Sequence, residues 1–135
     1  MAQFHLTVLT PYGKYFDGDV EFLSVRSEKY TLGILHDHAP LISTIDISRM
    51  VIRVGKNEYV YAVGGGVLKV DHNQVDVLVN SIERSDEIDV ERARQAKERA
   101  EKRLKENSAD NAIDVNRAKL ALLRATNRLE VCDKH

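Results

Sequence analysis

The chain has 135 residues, 43% of them hydrophobic but only 6% aromatic and none Trp, which suits one domain, or a small domain with an appendage, around a modest aliphatic core. Its 20 basic and 21 acidic residues leave a net charge of -1, which excludes whole-molecule attraction to nucleic acid or to an anionic lipid surface. The single cysteine, Cys132, excludes an internal disulfide and is the natural pattern of a reducing compartment.

Met1 to Leu9 has neither a basic n-region nor an apolar h-region, and too little Arg and Ser for a transit peptide, so no targeting segment is expected. Nowhere do ~18 apolar residues run together. Direct membrane insertion is therefore not expected, and work at a membrane would go through a protein partner.

Phe4, Leu6 and Val8 alternate with polar neighbours and predict a strand that Pro11-Tyr12-Gly13 ends as a turn. Short apolar runs follow at Val20 to Val25, at Leu32, Ile34 and Leu35, at Leu41 to Ile45 and at Met50 to Val54. Gly55-Lys56-Asn57 reads as a hairpin turn into Tyr59 to Val63, and Val67 to Val70 and Val75 to Val79 flank the turn-like Asp71-His72-Asn73-Gln74. Short strands with such regular turn signals predict an antiparallel β-sandwich or flattened barrel over residues 1–84.

After residue 84, Ala, Glu, Lys and Arg take over. Asp89 is a good N-cap, with Glu91 in the first turn where the helix dipole favours an anion. Val90, Ala93, Ala96 or Lys97, Ala100 and Leu104 then recur at helical spacing. Asn107-Ser108-Ala109-Asp110-Asn111 breaks that pattern. Asp114 or Asn111 would cap a second helix with the stripe Val115, Ala118, Leu122, Ala125 and Leu129. Residues 85–135 are thus expected to form an antiparallel two-helix hairpin. An Ala-rich seam buries little area, so at ~25 cal/mol per Å2 it contributes only a few kcal/mol. Helices that are stable in themselves but weakly docked suit a switch between folded and extended forms; a static appendage is the plainer alternative.

Several motifs invite chemistry and then fall short of it. His36-x-His38 has metal-ligand character but no third ligand, so no metal is expected. Gly64-Gly65-Gly66 leads into a strand rather than a helix with Lys-Ser or Lys-Thr, which fits a backbone bend better than a phosphate cradle. No Ser/His/Asp or Cys/His set stands out, so the chain is not expected to be an enzyme by itself and requires no cofactor. Charge is more informative. The first helix mixes signs, as in Glu98 with Lys102 and Glu101 with Lys105, a pattern of solvated i,i+4 support. Between Val115 and Leu129 the second helix carries Arg117, Lys119, Arg124 and Arg128 and no acid, which reads as a basic ridge or, more plainly, a solvated face.

Taken together these parts resemble the epsilon subunits of F-type ATP synthases, over the whole chain. Val8-Leu9-Thr10-Pro11 is similar to the "VTP" closing that family's first strand, and Leu32 to Leu41 (LGILHDHAPL) to its "LGILPGHxPL". Gly64 to Val70 resembles "SGGFLEV", Ile88-Asp89-Val90-Glu91-Arg92-Ala93 matches "I/LDxxRA", and Asn127-Arg128-Leu129 resembles "NRL". His36-Asp37 departs from the usual Pro-Gly, Thr31 from a common acidic residue and Gly64 from a common Ser. The resemblance implies a non-catalytic rotor subunit, of bacterial or chloroplast type, peripheral on the cytoplasmic face of the cell membrane. Its β domain would bind the gamma subunit and, through a loop around Gly33, His38 and Pro40, the c-ring. Its hairpin would brake ATP hydrolysis, with Arg117, Lys119, Arg124 and Arg128 meeting the acidic loop of the catalytic beta subunits in the extended state. It also implies ATP as a regulatory ligand of the folded hairpin, held near Ile88, Asp89, Arg92 and Ala93 and completed by Glu83, Arg99, Arg124 and Arg128. A free-standing β-sandwich adaptor with a passive helical arm, or a small nucleotide-binding sensor or enzyme, are the readings outside that family.

Overall fold

A computed structural model of the chain describes residues 2–106 and 112–133. The chain divides into two compact units, Met1–Arg84 and Ser85–His135.

The first unit is built of eight strands: β1 (Phe4–Thr10), β2 (Gly13–Val20), β3 (Phe22–Arg26), β4 (Thr31–Ile34), β5 (Leu41–Val54), β6 (Asn57–Asp71), β7 (Gln74–Val79) and β8 (Ile82–Arg84). They hydrogen-bond in the order β2-β1-β7-β6-β5-β3-β4, with β8 also on β6. Every ladder is antiparallel except β1 with β7, which is parallel. The path ends on two open edges, β2 and β4, so the strands form a sandwich and do not close into a barrel.

Two layers arise because β5 and β6 belong to both. Residues 66–71 of β6 pair with β7, whereas residues 61–63 pair with β8, and β3 joins β5 only near its end, at Val51–Arg53. The crossing lies at the glycine triplet. On β5 the inward side chains are Leu41 and Ile45 before it and Met50 and Ile52 after it; on β6 they are Tyr61 and Val63, then Leu68 and Val70. Both strands therefore change the parity of their core-facing residues while their mutual register holds. Gly65 supplies the positive φ of 89° that the bend needs. The Ser48 hydroxyl donates to the Asp46 carbonyl at 2.8 Å across the same kink. At Gly66 a Cβ would lie 1.9 Å from the Leu78 carbonyl oxygen, so only glycine fits. Phe4, Leu6 and Val8 of β1, Leu23 and Val25 of β3 and Val75 and Val77 of β7 complete one aliphatic core between the layers.

Sequence and structure differ at several places. Strand β2 was not anticipated, because its Gly, Lys and Asp residues are mostly exposed on an edge and carry no apolar alternation. The runs Leu41 to Ile45 and Met50 to Val54 are one strand, and so are Tyr59 to Val63 and Val67 to Val70. Leu35 leaves β4 and is exposed in the following loop.

The second unit opens with a 3-10 turn, Ser85–Glu87, followed by α1 (Val90–Glu106) and α2 (Ala112–Asp133). The expected break at Asn107 to Asn111 lies outside the described residues. A 17-residue helix is about 25 Å long, and the five intervening residues reach at most about 18 Å, so helices that pack on each other here run antiparallel. Their seam is the Ala-rich stripe: Ala93 and Ala100 of α1 and Ala118 and Ala125 of α2 are buried.

Candidate functional site

The hairpin begins with its cap. The Asp89 carboxylate accepts the Arg92 backbone N–H at 3.0 Å, and the Asp89 carbonyl accepts that of Ala93 at 3.0 Å. Ile88 is buried just before it, so the Ile-Asp-x-x-Arg-Ala segment is a helix start in which each named residue has a local structural task. Asp114 sits in the first turn of α2, which begins at Ala112, so it favours the helix dipole but is not the cap; Asn111 lies outside the described residues.

At about 100° per residue, Arg92, Arg99 and Arg103 share one flank of α1, and Arg117, Arg124 and Arg128 one flank of α2. Buried Ala93 and Ala125, and Ala100 and Ala118, fix which levels of the two helices meet. With that alignment and antiparallel packing, both arginine flanks lie on the same side of the hairpin. Arg92 is level with Arg124 and Arg128, and Arg99 with Arg117. Arg103 was not among the candidates, although it lies four residues on from Arg99 and eleven from Arg92, a spacing legible in the sequence. Lys119 does not join this ridge: two residues on from Arg117 it falls about 200° away, on the opposite flank. The far flank of α1 holds the mixed charges, including the exposed Glu91–Arg94 ion pair at 3.0 Å; Lys102 pairs with Glu106 at 3.9 Å.

The solvent face of α2 is not purely polar. Leu120 and Leu123 are exposed side by side between Lys119 and the arginine ridge. A basic helix with an apolar stripe on its outer face suits a partner that is acidic and partly apolar. Glu83 belongs to β8 of the first unit, where it is half-buried.

The loop end of the sheet is tied by an unexpected pair. Asp37 donates its N–H to the Asn73 side-chain oxygen at 2.7 Å, and Asn73 returns its amide to the Asp37 carboxylate at 2.9 Å. Asp37, His72 and Asn73 are the non-glycine residues with positive φ among those described, and all serve this junction. His36 lies 3.1 Å from Asp37, and His72 pairs with Asp71. His38 donates from Nδ1 to the Ala39 carbonyl at 2.7 Å, which leaves Nε2 for a partner. Gly33 on β4 gives room to Phe22, where a Cβ would lie 3.3 Å from the ring, and Pro40 is exposed at the loop's exit. Among the described residues no group of three His, Cys, Asp or Glu side chains is arranged to hold a metal ion, and no helix is long and apolar enough to cross a membrane. The outer face of the first layer carries an apolar row, with Ile42 72%, Val67 43% and Leu78 49% exposed.

Comparison with known proteins covers both units. The family model "ATP synthase, Delta/Epsilon chain, beta-sandwich domain" matches residues 3–85, and "ATP synthase, Delta/Epsilon chain, long alpha-helix domain" matches residues 86–133. The chain belongs to the ATP synthase Delta/Epsilon family. Within it, relatives carry the name ATP synthase epsilon chain: one from Halalkalibacterium halodurans is 44% identical over 99% of this chain and 100% of its own length. Another, from Bacillus pumilus, is 40% identical over the same shares. Among solved structures, a chain of the Euglena gracilis mitochondrial ATP synthase (OSCP/F1/c-ring) matches with a TM-score of 0.83 at 19% identity, covering 100% of this chain and 83% of that one. A chain of the Tetrahymena thermophila mitochondrial ATP synthase central stalk and c-ring matches with a TM-score of 0.62 at 17% identity and 95% coverage of each. At such identities these two speak for the fold alone.

Proposed function

We propose that the chain is a non-catalytic central-stalk subunit of a bacterial F-type ATP synthase, coupling the gamma subunit to the c-ring and restraining ATP hydrolysis through its helices. The observation that carries this is the match, over its full length and both units, to proteins named ATP synthase epsilon chain. The structural neighbours, chains of mitochondrial ATP synthases, share the fold. The subunit sits peripherally on the cytoplasmic face of the cell membrane. Residues 1–84 anchor it: the loop with Gly33, His38 and Pro40 faces the c-ring, and the apolar row of Ile42, Val67 and Leu78 offers gamma a surface to cover.

Residues 85–135 regulate. In an extended form, Arg117, Arg124 and Arg128, with Leu120 and Leu123 beside them, meet the acidic loop of the beta subunits and stop rotation in the hydrolysis direction. In the compact form the same side of the hairpin, with Arg92, Arg99 and Arg103 added, takes the triphosphate of ATP through charge-assisted, bidentate hydrogen bonds. The two occupants compete for Arg124 and Arg128. ATP then stabilises the compact form by mass action and holds the brake off.

Titrating the full chain with ATP while following backbone NMR shifts tests the ligand. Saturable shifts at Asp89 and Arg124, lost in Arg92→Ala, are expected; no shifts at millimolar ATP would remove nucleotide sensing from the mechanism. The division of labour has its own test. A chain ending at Arg84 should still co-purify with gamma, and the complex should hydrolyse ATP faster than with the full chain. Failure of the truncated chain to bind gamma would refute the assignment of the β unit.

A further inference from the structure

His5 stands on β1 directly opposite Asp19 of β2, and the next outward pair is Thr7 with Asp17. Its imidazole spans both carboxylates: Nδ1 lies 3.0 Å from Asp19 Oδ1, and Nε2 contacts Asp17 Oδ1. An ionised carboxylate only accepts hydrogen bonds, so each ring nitrogen must donate. A neutral imidazole has one N–H; imidazolium has two. The observed arrangement is complete only with the doubly protonated ring.

We propose that His5, Asp17 and Asp19 form a proton-dependent clasp that fastens the edge strand β2 to β1, closed while the imidazole holds two protons and loosened when it loses one. The proposal rests on the β unit alone and stands whether or not the assignment to a rotor holds.

The surrounding charges leave the control with this ring. Lys14 holds the other oxygen of Asp17 at 2.8 Å. From the other side, β7 places Gln74 opposite His5, and its amide is directed to Asp76 at 3.1 Å and Thr7 at 3.4 Å. In the turn between β6 and β7, Asp71 and His72 pair with each other, and the Asn73 carbonyl accepts the His5 backbone N–H at 2.8 Å. With the clasp closed, Lys14, His5, Asp17 and Asp19 are neutral as a group; with it open they carry a net negative charge. Asp17 and Asp19, two apart on one face of β2, then confront a ring lone pair. Hydrogen bonds donated to Asp19 and Asp17 hold the His5 imidazole above its usual value of 6.5. The clasp is therefore fully formed below 6.5 and lost as pH rises through the raised value. Strand β2 pairs with β1 alone among the described strands, so a loosened clasp frees a sheet edge.

The test is an NMR pH titration of the full chain, reading the His5 ring together with amide exchange of Gly13 to Val20 corrected for the intrinsic rate. The expected result is a His5 midpoint above 6.5 and a loss of protection in β2 of about two- to fivefold across the same step. The double substitution Asp17→Asn, Asp19→Asn should return the midpoint to the ordinary value and flatten the step. His5→Gln, a change at a half-exposed site, should abolish the step with the Leu6 and Val8 signals of the core unmoved. A His5 midpoint at or below 6.5, β2 protection independent of pH, or a step that survives in His5→Gln would each overturn the proposal.

Discussion

Substituting each glycine of the Gly64-Gly65-Gly66 triplet by Ala separates three kinds of constraint on the bend. At Gly66 the new Cβ would meet backbone: the Leu78 carbonyl oxygen at 1.9 Å, and the Leu78 carbonyl carbon and Val79 Cα at 2.8 Å each. These atoms have no rotamer to escape into, so β6 and β7 must part by about 1.5 Å to reach ordinary contact. That movement stretches the ladder at Gly66–Val79 and Val67–Leu78. Overpacking of about 1–3 kcal/mol, with about 1 kcal/mol for each weakened hydrogen bond, gives a loss of about 3 kcal/mol for Gly66→Ala. At Gly64 the nearest atom is the Ser81 hydroxyl at 2.3 Å, which turns aside, and the loss should stay below about 1 kcal/mol. Gly65→Ala meets nothing closer than 3.4 Å but inherits a φ of 89°, at about 1–2 kcal/mol. Thermal unfolding of the full chain, followed residue by residue because the two units need not melt together, reads the order directly. At about 4–8 °C per kcal/mol for a unit of this size, Gly66→Ala should lower the β-unit midpoint by about 12–24 °C. A Gly66→Ala protein that melts with the wild type, or Gly64→Ala as the most damaging of the three, would refute the reasoning.

Asp89→Ala removes the acceptor for the Arg92 N–H and should destabilise α1 by about 1 kcal/mol, read as faster amide exchange in its first turn and unchanged exchange in β1. Leu120→Ser with Leu123→Ser alters only exposed side chains, so the melting midpoint should hold while inhibition of ATP hydrolysis in the assembled complex weakens; equal inhibition would show that this stripe meets no partner. Lys14 and then His5 hold the Asp17 carboxyl below its usual value of 3.8. Its contribution is thus present above 3.8 and lost as pH falls through the lowered value, and Asp17→Asn should lack that acid-side loss in β2 exchange protection.

What could be read from the sequence was whatever has a period. The seam of the hairpin was visible because Ala93 and Ala100, and Ala118 and Ala125, repeat every seven residues among charges, and Asp89 announced the start of α1. The strands with an inward aliphatic face were visible for the same reason. β2 was not, since an edge strand of Gly, Lys and Asp buries almost nothing until Val20. Nor was the continuity of β5 and β6: the change of facing residues at Gly65 interrupts the alternation by which a strand is recognised. In the candidate site, the run of charges marked α2 as basic but could not separate Lys119 from the arginine flank, because sign says nothing about azimuth around a helix. The Asp37–Asn73 tie joins residues far apart in the chain and has no local pattern to betray it.

The long β5–β6 pair has a mechanical consequence. Because each of its strands runs through both layers, a force that separates the layers is carried along two covalent backbones held in one register. A sandwich joined only by loops would instead peel open one bond at a time. Under a twisting load on the two layers, that arrangement lets force pass through the backbone itself, with the aliphatic core left to resist compression.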